Sequence, residues 1–284
     1  MAITSVRWRA ASVFITAGAA AAALLALPVP AGASTGTTEI SPEQAGYTAT
    51  GARFQNIDAR VFLRQPAQYA GEVGRYGQSV QLWSSGYVVV AGVSASTSGS
   101  AYTPYAEVFD PSGHELLASD PGAKWCDDHT FGCISKIGTF SADEGVFIDV
   151  YYDATRGFVH FEVADLYDEL YMQASYKVGT GVSFTQARVG TEFGGSPWDG
   201  SYSYTPPAQR VKVASYTRVY LTSYSGHTAT LWSWWVHHKL LANTGQQSGS
   251  DWVAIPDDLT DGGASFRTWF VPQSGQSPSQ PTTP

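Results

Sequence analysis

One carboxylate is placed where it could do chemistry. Glu192 closes the strand-like run Ala187-Arg188-Val189-Gly190-Thr191-Glu192-Phe193, immediately before the glycine pair Gly194-Gly195. A glutamate at such a position can take a proton from water, or it can simply finish a strand with a polar group. Other hydrolytic templates are missing. A nucleophile elbow needs Gly-x-Ser-x-Gly so that the serine occupies a strained turn, and that string does not occur. His237 and His238 are adjacent, so on a strand they face opposite ways, and no His-Glu-x-x-His is present. A sandwich glycosidase needs two carboxylates on one face, and Phe147-Ile148-Asp149-Val150 supplies only one along its own strand.

The elements that must hold Glu192 are strands. Residues 146–152 and 158–163 are rich in β-branched and aromatic side chains, and the turn-forming Asp153-Ala154-Thr155-Arg156-Gly157 between them predicts a hairpin. Comparable short runs recur at 59–63, 79–83, 87–93, 105–109, 211–216, 218–223, 228–236 and 264–271, spaced by Gly, Pro, Ser or Asn clusters. This spacing predicts an all-β fold, an antiparallel sandwich or barrel. Residues 164–174 fit either a helix, through Leu166, Leu170 and Ala174, or a strand, through Tyr167, Tyr171 and Met172. One domain over 46–272 accommodates all of these elements, with a polar segment at 34–45 and a low-complexity tail at 273–284.

The leading segment predicts export. Arg7 and Arg9 precede an apolar, alanine-rich run, and Ala31-Gly32-Ala33 offers the small residues that a signal peptidase reads, with cleavage expected before Ser34. The expectation is a secreted, extracellular protein, free of the membrane after cleavage. The chain carries 16 basic and 24 acidic side chains, a formal net charge of −8, and loss of Arg7 and Arg9 makes it more negative. Nucleic acid is a poor partner for such a surface. Its two cysteines, Cys126 and Cys133, lie in one short segment. In an oxidising compartment they are expected to pair and pin a surface loop; a metal site using Asp127, Asp128 and His129 is the alternative, and a structural zinc normally takes four ligands. No cofactor or metal is expected.

From Gly46 to Phe270 the order of strands, the segment Tyr105-Ala106-Glu107-Val108-Phe109, the hairpin over 146–163 and the Glu192 run resemble the glutamic peptidases called eqolisins. The resemblance implies a concanavalin A-like sandwich (jelly roll) that hydrolyses polypeptides at acid pH. It implies that Glu192 activates water, because the family's Ala-Glu-Trp-Ile-Val-Glu falls on residues 187–192, matching at Ala187 and Glu192. The family's catalytic glutamine, in Leu-Gln-Thr-Gly, falls on Val89-Val90-Ala91-Gly92, where Val90 has no donor. Gln81 is the candidate for a relocated amide: if 79–83 and 87–93 form a hairpin through Ser84-Ser85-Gly86, it shares a face with Val90 from the neighbouring strand. Glu107 matches a family glutamate and would supply a second carboxylate. Trp83, Tyr105 and Trp198 would line a cleft for the polypeptide. The alternative is a non-catalytic secreted sandwich that binds glycan or protein, carried by Val90 and by the exposed tryptophans expected at Trp232, Trp234 and Trp235.

Overall fold

A computed structural model describes residues 38–41, 44–65, 67–68, 76–95, 101–117, 132–136, 138–166, 170–193, 209–210, 213–234, 236–243 and 252–270. In chain order the strands are β1 (Thr38–Ser41), β2 (Gln44–Thr50), β3 (Phe54–Phe62), β4 (Ala67–Gln68), β5 (Tyr76–Trp83), β6 (Val88–Ala95), β7 (Tyr102–Phe109), β8 (Glu115–Leu117), β9 (Gly132–Lys136) and β10 (Gly145–Asp153). They continue as β11 (Phe158–Asp165), β12 (Leu170–Lys177), β13 (Gln186–Phe193), β14 (Gln209–Arg210), β15 (Val213–Ser223), β16 (Thr228–Ala229), β17 (Val236–Asn243), β18 (Trp252–Pro256) and β19 (Phe266–Phe270).

These strands form two antiparallel layers. One runs β8-β7-β6-β5-β13-β2-β17 and the other β9-β12-β11-β10-β3-β15-β19, and β18 joins them by pairing with β17 on one side and β19 on the other. β1 adds to β17 in parallel. The faces meet where β10 lies against β5 and β6, and β11 against β6 and β7. Strand alternation decides what fills the gap. Val80 and Leu82 of β5, Val89, Ala91 and Val93 of β6, and Ala187 and Val189 of β13 point inward, onto Ile148, Val150, Val159 and Phe161 of the opposite layer. Their neighbours in sequence therefore face away from the core.

Two hairpins follow their turn chemistry. Between β10 and β11, Asp153 Oδ1 accepts hydrogen bonds from the backbone N–H of Thr155 (2.9 Å) and Arg156 (3.1 Å), and Gly157 takes φ +75°. Between β5 and β6, Ser84 Oγ accepts from the N–H groups of Gly86 and Tyr87 at 3.2 and 2.8 Å. Where the sequence allowed helix or strand, the described residues of 164–174 are extended at 164–165 and 170–174: Phe158–Asp165 and Leu170–Lys177 pair as β11 and β12 with a register shift at Val163/Ala164, so cross-strand pairing overrides the helical spacing of the leucines. The described part of the two runs expected at 211–216 and 218–223 is one strand, β15 (Val213–Ser223), kinked where Arg218 takes φ +50°. Among the described residues of 228–236, Thr228–Ala229 and Val236 are strand, and a 3-10 turn occupies Leu231–Ser233. The tryptophans there do not share one environment: Trp232 is 60% exposed, whereas Trp234 is buried edge-on against Phe54, centroids 5.0 Å apart. Trp235, Cys126 and Trp198 lie outside the described residues, as does the leader; Cys133 is in β9.

The outer face of the second layer carries a row of acids that no single strand reveals. Asp149 of β10 stands opposite Asp58 of β3 on one side and Glu162 of β11 on the other. Asn56 Nδ2 donates to Asp149 Oδ1. Burial pushes the Asp149 carboxyl up to about 8, with Asp58 and Glu162 adding to the rise, and burial pushes Asp58 up to about 7. The native state thus holds protons that the unfolded chain releases near pH 4. Its contribution to stability is complete below that pH and is lost as pH rises through 7 to 8. The melting temperature is expected to fall by more than about 3 °C between pH 4 and pH 8. Asp149→Asn should remove at least about half of that fall, as read by thermal unfolding across the range.

Candidate active site

β13 lies between β5 and β2, and this insertion builds the site. On the face away from the core, β13 presents Arg188, Gly190 and Glu192, opposite Gln81, Ser79 and Gly77 of β5. β6 then presents Val90 opposite Gln81 and Gly92 opposite Ser79, and β7 places Glu107 beside Val90 and Tyr105 beside Gly92. Two rows cross four strands: Arg188–Gln81–Val90–Glu107 and Gly190–Ser79–Gly92–Tyr105. The hairpin expected between 79–83 and 87–93 is formed; Ser84 pairs with Tyr87, so the turn is Ser85-Gly86, and Gln81 is directly across from Val90 on the same face.

Three donors converge on Glu192. Gln81 Nε2 donates to Oε1 at 2.6 Å, Ser79 Oγ donates to the same oxygen, and the Tyr105 hydroxyl donates to Oε2 at 2.6 Å. A carboxylate with these partners is oriented on both oxygens. Ser79, Gln81 and Tyr105 are buried, while Glu192 is half-buried. The amide of Gln81 is held from behind as well, because Trp83 Nε1 donates to its Oε1 at 2.6 Å. The Arg188 guanidinium lies over the Trp83 ring, 3.8 Å from the centroid, and Arg188 Nη2 donates to Gln186 Oε1 at 3.0 Å.

Tyr105 reaches Glu192 only because two intervening strands are bare. Its ring crosses Gly92 of β6, where an added Cβ would sit 2.6 Å from the hydroxyl oxygen and 2.7 Å from Cζ. Beyond it, a Cβ at Gly77 of β5 would be 3.2 Å from the same oxygen. Alternation thus sets two glycines under one tyrosine. On the reverse face of β13, Thr191 Oγ1 shares hydrogen bonds with Tyr216 OH (2.8 Å) and Thr268 Oγ1 (2.6 Å). Burial holds the Tyr216 phenol well above its usual range, so it stays a neutral hydrogen-bonding group. This polar plug ties the strand carrying Glu192 to β15 and β19 of the other layer.

Of the residues expected from sequence, Glu192, Gln81, Trp83 and Tyr105 come together. Glu107 is buried in the Gln81 row but two strands from Gln81, and Tyr105 is the β7 residue that bonds the glutamate. Tyr105, expected as a cleft wall, is a direct partner. Ser79 and Arg188 were not anticipated. Ser79 is signalled only by the i, i+2 series Ser79, Gln81, Trp83, and Arg188 only by its place four residues before Glu192 on the same strand face. Among the described residues no group of three or more His, Cys, Asp or Glu side chains could hold a metal ion.

No protein-family model and no curated protein matches the chain. Solved structures do. Scytalido-glutamic peptidase bound to a transition-state analogue inhibitor has a TM-score of 0.57 at 15% identity, covering 81% of this chain and 99% of that one. SCP-B, a member of the eqolisin family of peptidases in complex with the tripeptide Ala-Ile-His, has a TM-score of 0.52 at 13% identity, with the same coverage. At these identities the likeness establishes the fold: an antiparallel β-sandwich of the kind seen in glutamic peptidases.

The crossing of Tyr105 over Gly92 gives a direct test. Gly92→Ala forces the ring and the adjacent Gln78 carbonyl to yield and is expected to destabilise the protein by about 1–3 kcal/mol in denaturant unfolding. Gly86→Ala, where an added Cβ meets nothing within 4 Å, should stay within about 0.5 kcal/mol of the parent.

Proposed function

We propose that this chain is a glutamic-type acid endopeptidase or a close relative of one, secreted and acting on polypeptides. The observation that carries the reading is the 2.6 Å bond between Gln81 Nε2 and Glu192 Oε1 on the outward face of this sandwich. In the proposed reaction the Glu192 carboxylate takes a proton from water, and the water oxygen bonds to the carbonyl carbon of the scissile peptide. The carbonyl oxygen becomes an oxyanion. Gln81 Nε2 carries two hydrogens, and the one not given to Glu192 has only a 3.4 Å contact with Ser79 Oγ, so it is the donor offered to that oxyanion. The protonated Glu192 then gives its proton to the amide nitrogen, the C–N bond breaks, and the products are a carboxylic acid and an amine. Trp83 and Tyr105 flank the reacting groups.

Gln81 takes over in this scheme for the glutamine absent at Val90. The two positions are neighbours across one strand spacing, about 4.8 Å, and share a face. A displacement of that size still leaves the amide against the same carboxylate.

A specific observation favours the second reading, a non-catalytic binding module. Glu192 already accepts from three side chains, and Gln81 is only 2% exposed, so a substrate carbonyl must displace a neighbour to reach the amide. Incubation with a denatured protein between about pH 3 and 5, across the ordinary glutamate titration, separates the two. Cleavage is expected from the parent and none from Glu192→Gln. Gln81→Ala should lower kcat by about 10²–10³, the usual cost of one oxyanion donor. No cleavage by the parent rejects the peptidase in favour of the binding module, and equal cleavage by Glu192→Gln rejects the role of Glu192.

A further inference from the structure

The direction in which the Gln81 amide faces is a chemical question that its own strand does not answer. A glutamine can present either its oxygen or its nitrogen to a neighbour, and only the partner groups decide. Glu192, ionised, accepts and cannot donate. At the other end of the amide lies the Trp83 indole N–H, which donates and cannot accept. These two constraints agree: Oε1 must face Trp83 and Nε2 must face Glu192. Were Trp83 a residue without an N–H, the amide could rotate and turn its oxygen elsewhere.

Trp83 is itself fixed. Its strand places it two residues beyond Gln81 on the same face, so the indole N–H points back along β5 at the amide. The Arg188 guanidinium covers its ring at 3.8 Å, and Gln186, opposite Trp83 across β5 and β13, holds Arg188 in turn. Stacking of a planar cation on an indole resists rotation of the ring, and a lysine in place of Arg188 could not reproduce it.

We infer that Trp83, clamped by Arg188, is a positioning residue that sets the amide of Gln81 with its N–H groups toward Glu192 and the substrate oxyanion. This inference rests on the peptidase reading for its kinetic consequences and on geometry alone for its spectroscopic ones. Trp83 touches no reacting atom; it acts through Gln81.

The test is a double-mutant cycle with an independent spectroscopic arm. Trp83→Phe keeps a ring beneath Arg188 and removes the donor, and it should lower kcat at least about tenfold with KM within about twofold. In a Gln81→Ala background the same substitution should cost nothing further, because the group it orients is gone. Arg188→Lys should lower kcat in the same direction by a smaller factor. Unchanged kcat in Trp83→Phe, or an equal loss in both backgrounds, overturns the inference. If the parent cleaves nothing, or if Trp83→Phe does not fold, the indole N–H of Trp83 in ¹⁵N-labelled protein decides. It should be protected from hydrogen exchange in the parent and lose that protection in Gln81→Leu, where Trp83 is intact. An indole signal indifferent to Gln81→Leu overturns the positioning role whatever the protein's activity.

Discussion

The register between β5 and β13 is the constraint on which the rest of the site depends. Arg188 opposite Gln81 and Gly190 opposite Ser79 leave Glu192 within reach of Ser79 and Gln81 of β5. A slip of one residue would carry Ser79, Gln81 and Trp83 into the gap between the layers and turn Val80 and Leu82 onto the face that carries Glu192. The core prevents this. Val80, Leu82, Ala187 and Val189 are fully buried, and exchanging them for an amide, a hydroxyl and a guanidinium would cost far more than the site could return. Apolar packing on one face of the strands therefore sets the polar geometry on the other.

The site is rigid through a sequence of donors and acceptors with few alternatives. Arg188 lies on Trp83, Trp83 donates to Gln81, and Gln81 donates to Glu192, which also accepts from Ser79 and Tyr105. Beneath it, Thr191 bonds Tyr216 and Thr268 in the core, where unpaired hydroxyls would be costly. Adjacent residues of one strand thus serve opposite ends: Thr191 anchors it inward and Glu192 acts outward. The sandwich that carries this arrangement is like that of glutamic peptidases at the level of fold.

What could be read in the sequence was local. The hairpins came from turn residues whose side chains bond their own backbone, Asp153 and Ser84, and the second of them sets Gln81 and Val90 on adjacent strands. Pairings between distant segments left no such mark. Nothing in residues 186–193 says that they insert between β2 and β5, so Ser79 could not be connected to Glu192, nor Arg188 to Trp83. The same blindness hid the acids around Asp149, because Asp58 is ninety-one positions earlier and only the sheet brings it opposite. Residues 164–174 were ambiguous because leucine spacing and β-rich composition disagree there, and the neighbours at β9 and β11 decided.

Insertion of β13 between two earlier strands also orders events in time. β2 and β5 bond each other only through β13, and β2 meets its other partner, β17, with Gly46 opposite Leu240. A chain emerging from the ribosome therefore exposes the unpaired edges of β2 and β5 for more than a hundred residues of synthesis before either is covered. Such distant closures slow folding and leave open edges available to other chains. The three donors and the carboxylate they orient come together only when β13 pairs with β5, so a partly folded form in which β13 is undocked lacks the site.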